Sequence, residues 1–344
     1  MEYRQLGRTG TRVSQLCLGT MNFGSVTDEP TAHQIINEAL DAGINFIDTA
    51  DCYQRGVSEE FTGRALKENG KRDDIVLATK AVASMGEGQN DRGASRYHLA
   101  RAVDNSLKRL QTDRLDLFYL HVVDITTPMD EIFGQLDVLR KQGKILYVGT
   151  SKWPVPLVME GLMMHEKYDY PRIVAEQPPY QLLDRGLEME MVWTCMRHGI
   201  GLVTWGPLAY GLLTGMYRKG QPIPEGHRWS SADPDNNKRF THEALDRVEQ
   251  LIPIAESKGI DLPALAHAWL QQRPGITCPI VGPRTVEHLR AALETVDITF
   301  TQDELDAIDA AAPPGTWVSD FYFGNTYAHL VRSINHPTDP TGYH

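Results

Sequence analysis

Short apolar runs alternate with longer stretches of helical periodicity along almost the whole chain. The apolar runs fall at 12–20 (RVSQLCLGT), 44–49 (INFIDT), 75–80 (IVLATK), 115–121 (LDLFYLH), 145–151 (ILYVGTS), 173–177, 201–205 (GLVTW) and 278–282 (CPIVG). Continuous apolar runs of this length read as strands covered on both faces, as in a parallel sheet. Helical patterns occupy 31–42, 58–69, 96–110, 129–142, a stretch beginning near Pro154, 187–198 and 286–295. Gly43, Gly143 and Gly199 stand just past three of them, where glycine stops a helix. Eight strand–helix units predict a closed (β/α)8 TIM barrel. A doubly wound sheet is the rival. Against it, the first strand runs into LGTMNFG and opens no helix with a G-x-G-x-x-G turn.

Three stretches fall outside this rhythm. Residues 2–13 read as an N-terminal β-hairpin that caps the barrel bottom. Residues 209–237, after strand seven, form a long loop rich in glycine, proline and polar residues, and long loops inside compact domains are usually functional. Helices at 241–258 and 262–272 follow it. The tail 313–344 carries Trp317, Phe321, Tyr322, Phe323 and Tyr327, expected to fold over the barrel mouth or onto a second copy in a homo-oligomer. The expected organisation is one domain over 1–344, with a core at 12–312.

Composition narrows the function. Of 344 residues, 41% are hydrophobic and 23% charged, which excludes disordered, collagen-like and coiled-coil chains. Acidic residues outnumber basic ones, 45 to 34, which argues against nucleic-acid or membrane-surface binding and requires a local basic patch for any anionic ligand. No signal peptide and no run of about 18 apolar residues is present. Cys17, Cys52, Cys195 and Cys278 are scattered, without zinc or disulfide spacing. The expected location is the cytoplasm.

Chemistry in an eight-stranded barrel sits at the C-terminal strand ends. Strand two ends at Asp48, with Tyr53 in the loop beyond it; strand three ends at Lys80 and strand four at His121. Taken singly, each has an ordinary reading: a turn cap, a rim tyrosine, a snorkelling lysine, a structural histidine. Together they make a working group. A free phenol has a pKa near 10. A neighbouring ammonium is expected to lower it, a carboxylate to keep that ammonium charged, and an imidazole to orient a carbonyl oxygen.

The segments FIDTADCYQRGVSEEFTGRAL, LATK, LDLFYLH and VGTSKW resemble the aldo-keto reductase superfamily, and the resemblance extends over residues 3–312. Within it, GTSKW and TWGPLAYGLLTG are similar to the bacterial reductases and the potassium-channel β-subunit-like branch. The resemblance implies a barrel that transfers hydride between NADPH/NADP+ (NADH less favoured) and a carbonyl or alcohol substrate, an aldehyde, ketone or sugar-like compound. It makes Tyr53 the general acid/base, tuned by Lys80 and Asp48, with His121 orienting the substrate; no metal is involved.

It also implies a cofactor cradle. Trp205 stacks on the nicotinamide, Ser151 and Gln177 meet its carboxamide, and Gly19, Thr20, Met21 and Asp48 line the same side. Gly206, Pro207, Leu208, Gly211 and Leu213 follow strand seven. Gly282, Arg284, Thr285 and His288 stand where a helix begins, a natural phosphate site, with Arg284 on the adenosine 2′-phosphate. Lys152 replaces the asparagine common after Ser151. Ala291-Ala292 replace a common Glu-Asn pair, and Met216 stands where a basic residue is common, with Arg218 or Arg228 as substitutes. The substrate rim is expected at Met21, Phe23, Tyr53, Val122 and Trp153, with Phe321 from the tail, and Cys52 is expected to be inert. The alternative function is an NADPH-binding redox-sensing regulatory subunit with little turnover. A metal hydrolase using His121 and Asp124 lacks a third ligand. A retaining glycosidase lacks a carboxylate at strand seven.

Overall fold

The computed structural model describes residues 1–223, 225–232, 234 and 237–319. The chain opens with an antiparallel hairpin, β1 (Tyr3–Gln5) and β2 (Arg12–Ser14), in which Tyr3 faces Ser14. Eight parallel strands follow: β3 (Cys17–Gly19), β4 (Phe46–Asp48), β5 (Val76–Ala81), β6 (Leu115–Leu120), β7 (Ile145–Thr150), β8 (Ile173–Glu176), β9 (Gly201–Thr204) and β10 (Ile276–Val281). They pair in sequence order, and β10 closes onto β3 with Val281 beside Leu18. The helices α1 (Glu29–Asp41), α2 (Val57–Asn69), α3 (Arg96–Leu110), α4 (Met129–Lys141), α5 (Val155–Tyr168) and α6 (Met191–His198) follow β3 to β8 in turn. Helices α7 (His242–Ser257) and α8 (Leu262–Gln271) precede β10, and α9 (Val286–Leu293) and α10 (Gln302–Ala311) follow it. The expected (β/α)8 barrel and its hairpin are both present.

Two readings of the elements change. The run 12–20 is two strands, because the chain turns at Ser14, whose hydroxyl bonds the Leu16 carbonyl at 2.6 Å. The first half belongs to the hairpin and the second to the barrel. Helix α10 carried no strand–helix signature but does carry a capping box: the Glu304 carboxylate takes the Thr301 N–H at 2.7 Å, and Thr301 Oγ1 takes the Glu304 N–H.

Side-chain alternation explains the two cores. Phe46, Val76, Ala78, Leu117, Tyr119, Val203, Cys278 and Ile280 point inward, and Leu6 and Val13 of the hairpin join them to plug the bottom. Alternate residues such as Ile47, Leu77, Phe118 and Leu202 face the helices in the larger outer core. The long loop after β9 has its own small core, in which Tyr217 and Trp229 pack on Phe240 with ring centroids 5.8 Å away in each case. Of the tail aromatics, Trp317 bridges to Asp184; Phe321, Tyr322, Phe323 and Tyr327 lie outside the described residues.

Helix α2, which starts just beyond Tyr53, packs closely on α3 through Gly63. A Cβ there would stand 2.5 Å from the Arg109 carbonyl oxygen and 2.7 Å from the Leu110 Cα. Both obstacles are backbone, so one helix must move. Gly63→Val is expected to cost about 1–3 kcal/mol, the usual penalty for overpacking. Urea unfolding measures it, and an unchanged midpoint would contradict this packing.

Candidate active site

The inward register that fills the barrel continues to its mouth. On β4, Phe46 points in and so does Asp48; on β5, Val76, Ala78 and Lys80 share a face; on β6, Leu117 and Tyr119 lead to His121. Three polar side chains therefore converge above the apolar plug. Lys80 is fully buried and places its ammonium 2.5 Å from Asp48 Oδ1, 2.7 Å from the Thr49 carbonyl oxygen and 3.2 Å from the Tyr53 hydroxyl. These partners use all three ammonium protons. Because Lys80 donates to the Tyr53 oxygen, the phenolic proton is free to be donated elsewhere. Gln177 Nε2 holds the other Asp48 oxygen at 2.8 Å, and Ser151 Oγ donates to the Gln177 carbonyl at 2.8 Å.

Tyr53 is carried by a strained turn. Gln54, Arg55 and Gly56 have φ of 50°, 54° and 97°, and each non-glycine residue in the left-handed region costs about 1 kcal/mol or more. The first turn of α2 pins this loop down. Ser58 Oγ donates to the Thr20 carbonyl at 2.8 Å, and the buried Glu59 carboxylate accepts from Thr79 Oγ1 and from Arg109 Nε, each at 2.6 Å. The Tyr53 and His121 rings meet edge to face with centroids 5.8 Å apart.

The electrostatics differ from the sequence expectation at one point. Burial raises the Tyr53 phenol to about 12; the Lys80 charge pulls it down but does not outweigh the loss of water. Lys80 would be lowered by burial, but Asp48 and Tyr53 together hold it above the ordinary lysine range, as an ammonium. Burial, with Lys152 and Lys80 nearby, keeps His121 well below the usual histidine range, so the ring is neutral. The site thus holds a protonated phenol, a fixed cation and a neutral imidazole. Such a set can donate a proton to an oxygen that gains negative charge.

The other candidate residues divide into those with accessible surface and those without. Trp205 continues the inward row of Val203; it is half-buried and touches Tyr210 edge to face at 6.4 Å. Gly206 and Gly211 take φ of 76° and 95° in the loop beyond it, where Pro207 is buried, Leu208 half-buried and Leu213 wholly buried. Gly282, Arg284, Thr285 and His288 are exposed, and Thr285 caps α9. Arg284 and Thr285 line a cleft of about 490 Å³ with Gly24–Glu29, Thr31 and Phe61. Two acids in that cleft are engaged: Asp28 caps α1, and Glu29 pairs with Arg64. Gly19 packs against the Ile280 side chain, and Thr20 donates its N–H to the Asp48 carbonyl oxygen, so both brace strand ends.

The expected rim residues differ in exposure. Phe23, Val122 and Trp153 are 0%, 4% and 2% exposed and belong to the outer core, with Trp153 packed on Phe133; Met21, at 49%, is the exposed one. Apolar residues just past a strand end tuck into the strand–helix layer instead of the mouth. Arg218 is taken by a two-pronged pair with Glu249 at 2.7 Å, whereas Arg228 lies over the Tyr210 ring at 5.1 Å. Asp124 spends its carboxylate on Ala94 N, Thr126 and Thr127, which makes it a loop clamp.

Sequence reasoning missed Glu176, buried at the end of β8. It accepts from Thr150 Oγ1 and the Trp153 N–H, holding the turn in which Lys152 adopts φ of 60°; burial pushes it up to about 7. An acid inside an apolar strand is itself a signal, because such a group must find partners. It also missed the buried carboxylate of Asp51, which burial raises well above the usual carboxylate range, and the contact between Cys52 and His121.

A closed parallel barrel with this polar group at its mouth defines a class, and comparison with known proteins gives the same one. The aldo/keto reductase family model matches residues 15–313, and the chain belongs to that family. Its members generally use NAD(P)H and act on small carbonyl compounds. The chain is 39% identical over 333 residues to the "Uncharacterized oxidoreductase YrpG" of Bacillus subtilis (strain 168), covering 94% of this chain and 99% of the relative. It is 36% identical to a "Probable voltage-gated potassium channel subunit beta" of Oryza sativa subsp. japonica and to another of Arabidopsis thaliana. Each of these matches covers 90% of this chain and 96% of the relative. No helix among the described residues is long and apolar enough to cross a membrane.

The Tyr53 phenol is expected to remain protonated in the free protein at pH 10. The measurement is the 295 nm absorbance difference between wild type and Tyr53→Phe during alkaline titration. A tyrosinate assignable to Tyr53 below pH 9 would contradict the burial argument.

Proposed function

We propose that the chain is an NADP-dependent oxidoreductase that interconverts small carbonyl compounds and alcohols, with Tyr53 as general acid. The observation that carries the reading is the single Lys80 ammonium bonded to both the Asp48 carboxylate and the Tyr53 hydroxyl at the barrel mouth. The residues present fit a nicotinamide nucleotide. Trp205 offers a half-buried indole face for stacking, Ser151 and Gln177 supply polar side chains beside Asp48, and Arg284 stands exposed at the start of α9 for a phosphate. When bound, the dihydronicotinamide supplies the hydride.

The chain supplies the rest. A substrate carbonyl oxygen is received between the Tyr53 hydroxyl and the His121 imidazole. As negative charge grows on that oxygen, the phenolic proton passes to it, and the Lys80 ammonium meets the charge left on Tyr53. A phenol near 12 still gives its proton downhill to an alkoxide, whose basicity resembles that of hydroxide. Lys80 stays charged throughout because Asp48 stays beside it. The four free cysteines fit a reducing cytoplasm. Substrate choice falls to the exposed side chains above the site, Met21 among them.

A screen of NADPH consumption over aldehydes, ketones, quinones and sugars tests the reading. Tyr53→Phe is expected to lower kcat by about 10²-fold or more while nucleotide binding, followed by quenching of tryptophan fluorescence, survives. Unchanged turnover in that variant would refute the acid assignment. Arg284→Ala is expected to weaken NADPH about ten-fold, as loss of one charge-assisted hydrogen bond does, and to leave NADH unaffected; equal effects on both cofactors would remove Arg284 from the 2′-phosphate. The relatives named as channel β-subunits favour a second reading, an NADPH-binding regulatory subunit with little turnover. Tight NADPH binding without consumption of any carbonyl in the screen would select it.

A further inference from the structure

We propose that Cys52 is a positioning residue for His121: its thiol donates a hydrogen bond to Nδ1 and fixes the ring as the tautomer whose Nε2–H faces the mouth. The inference rests on the reading above in one respect, that His121 addresses a substrate oxygen.

Cys52 Sγ lies 3.5 Å from His121 Nδ1, within hydrogen-bond range for sulfur. The His121 backbone is held by its amide N–H, which donates to the Ala81 carbonyl at 2.9 Å, and the ring is steadied from the side by the edge contact with Tyr53. Among the described residues Nδ1 has no other hydrogen-bond partner, and Nε2 has none. A neutral imidazole carries one N–H, and the partner of one nitrogen decides what the other can do. Burial and the neighbouring ammonium groups keep this ring neutral. Burial, with Asp51 adding, raises the Cys52 thiol to about 12, so sulfur keeps its proton.

The direction of the bond follows. Histidines are commonly oriented by a backbone carbonyl or a carboxylate, both acceptors, which place the proton on the bonded nitrogen. A thiol is a donor as well as a weak acceptor. With S–H donating to Nδ1, the ring proton sits on Nε2 and can bond a carbonyl oxygen. The reverse arrangement would rely on sulfur as acceptor and turn a nitrogen lone pair toward that oxygen. Cys52 precedes Tyr53 directly, so the turn that presents the acid also carries the group that sets the imidazole.

The test is ¹⁵N NMR of the labelled full chain without substrate, with the His121 resonances identified among the twelve histidines by their loss in His121→Asn. The expected spectrum shows an unprotonated, hydrogen-bonded Nδ1 and a protonated Nε2. Cys52→Ala is expected to give a mixture of tautomers and, with 4-nitrobenzaldehyde as probe, a kcat about ten-fold lower at unchanged KM for NADPH, a loss within the reach of one neutral hydrogen bond. Cys52→Ser, whose hydroxyl can donate, is expected to restore both. A protonated Nδ1 in the wild type, or a Cys52→Ala protein with unchanged tautomer and kcat, would overturn the proposal. Because the tautomer is read without turnover, a chain that reduces no carbonyl would refute the reductase reading and leave the spectra to decide this one.

Discussion

One ammonium–carboxylate contact inside the barrel mouth, Lys80 with Asp48, governs the groups around it. Neither residue can stand there alone, since an unpaired buried charge costs about 3–5 kcal/mol once its partner is removed. Strand alternation points both inward, and the Thr49 carbonyl, Gln177 and Tyr53 satisfy the bonding capacity the pair leaves over. The pair therefore both ties β4 to β5 at the mouth and holds the Lys80 charge beside a phenol. The neutral imidazole of His121 is due first to burial and then to the Lys152 and Lys80 ammonium groups beside it.

Much of this was legible in the chain. Eight apolar runs gave eight barrel strands because nearly all their residues are covered on both faces, Leu146 of β7 being an exposed exception. Asp48, Lys80 and His121 were visible because charged or titratable groups at the ends of apolar runs are conspicuous. The hairpin boundary was harder. The run at 12–20 is continuous in hydrophobicity, and only the Ser14 hydroxyl bond to Leu16 marks the turn. Phe23, Val122 and Trp153 lie beyond strand ends and pack into the strand–helix layer, a burial that their positions in the chain do not display.

The Tyr53 phenol shows what residue types alone do not carry. A lysine beside a tyrosine argues for a lowered pKa, and that attraction is present. The loss of water around the half-buried phenol is larger, and it depends on packing that the sequence does not display. The outcome suits an acid better than a base: the proton stays in place until charge develops on a neighbouring oxygen. Glu176 and Asp51 belong to the same lesson, since their environments are made by residues distant in the chain.

Lys80 and Asp48 act as one unit. A double-mutant cycle on Asp48→Asn and Lys80→Met, read as kcat/KM for carbonyl reduction, tests it most directly. Non-additive losses, with the double variant no slower than the worse single one, are predicted. Losses that multiply independently would show that the two residues act separately.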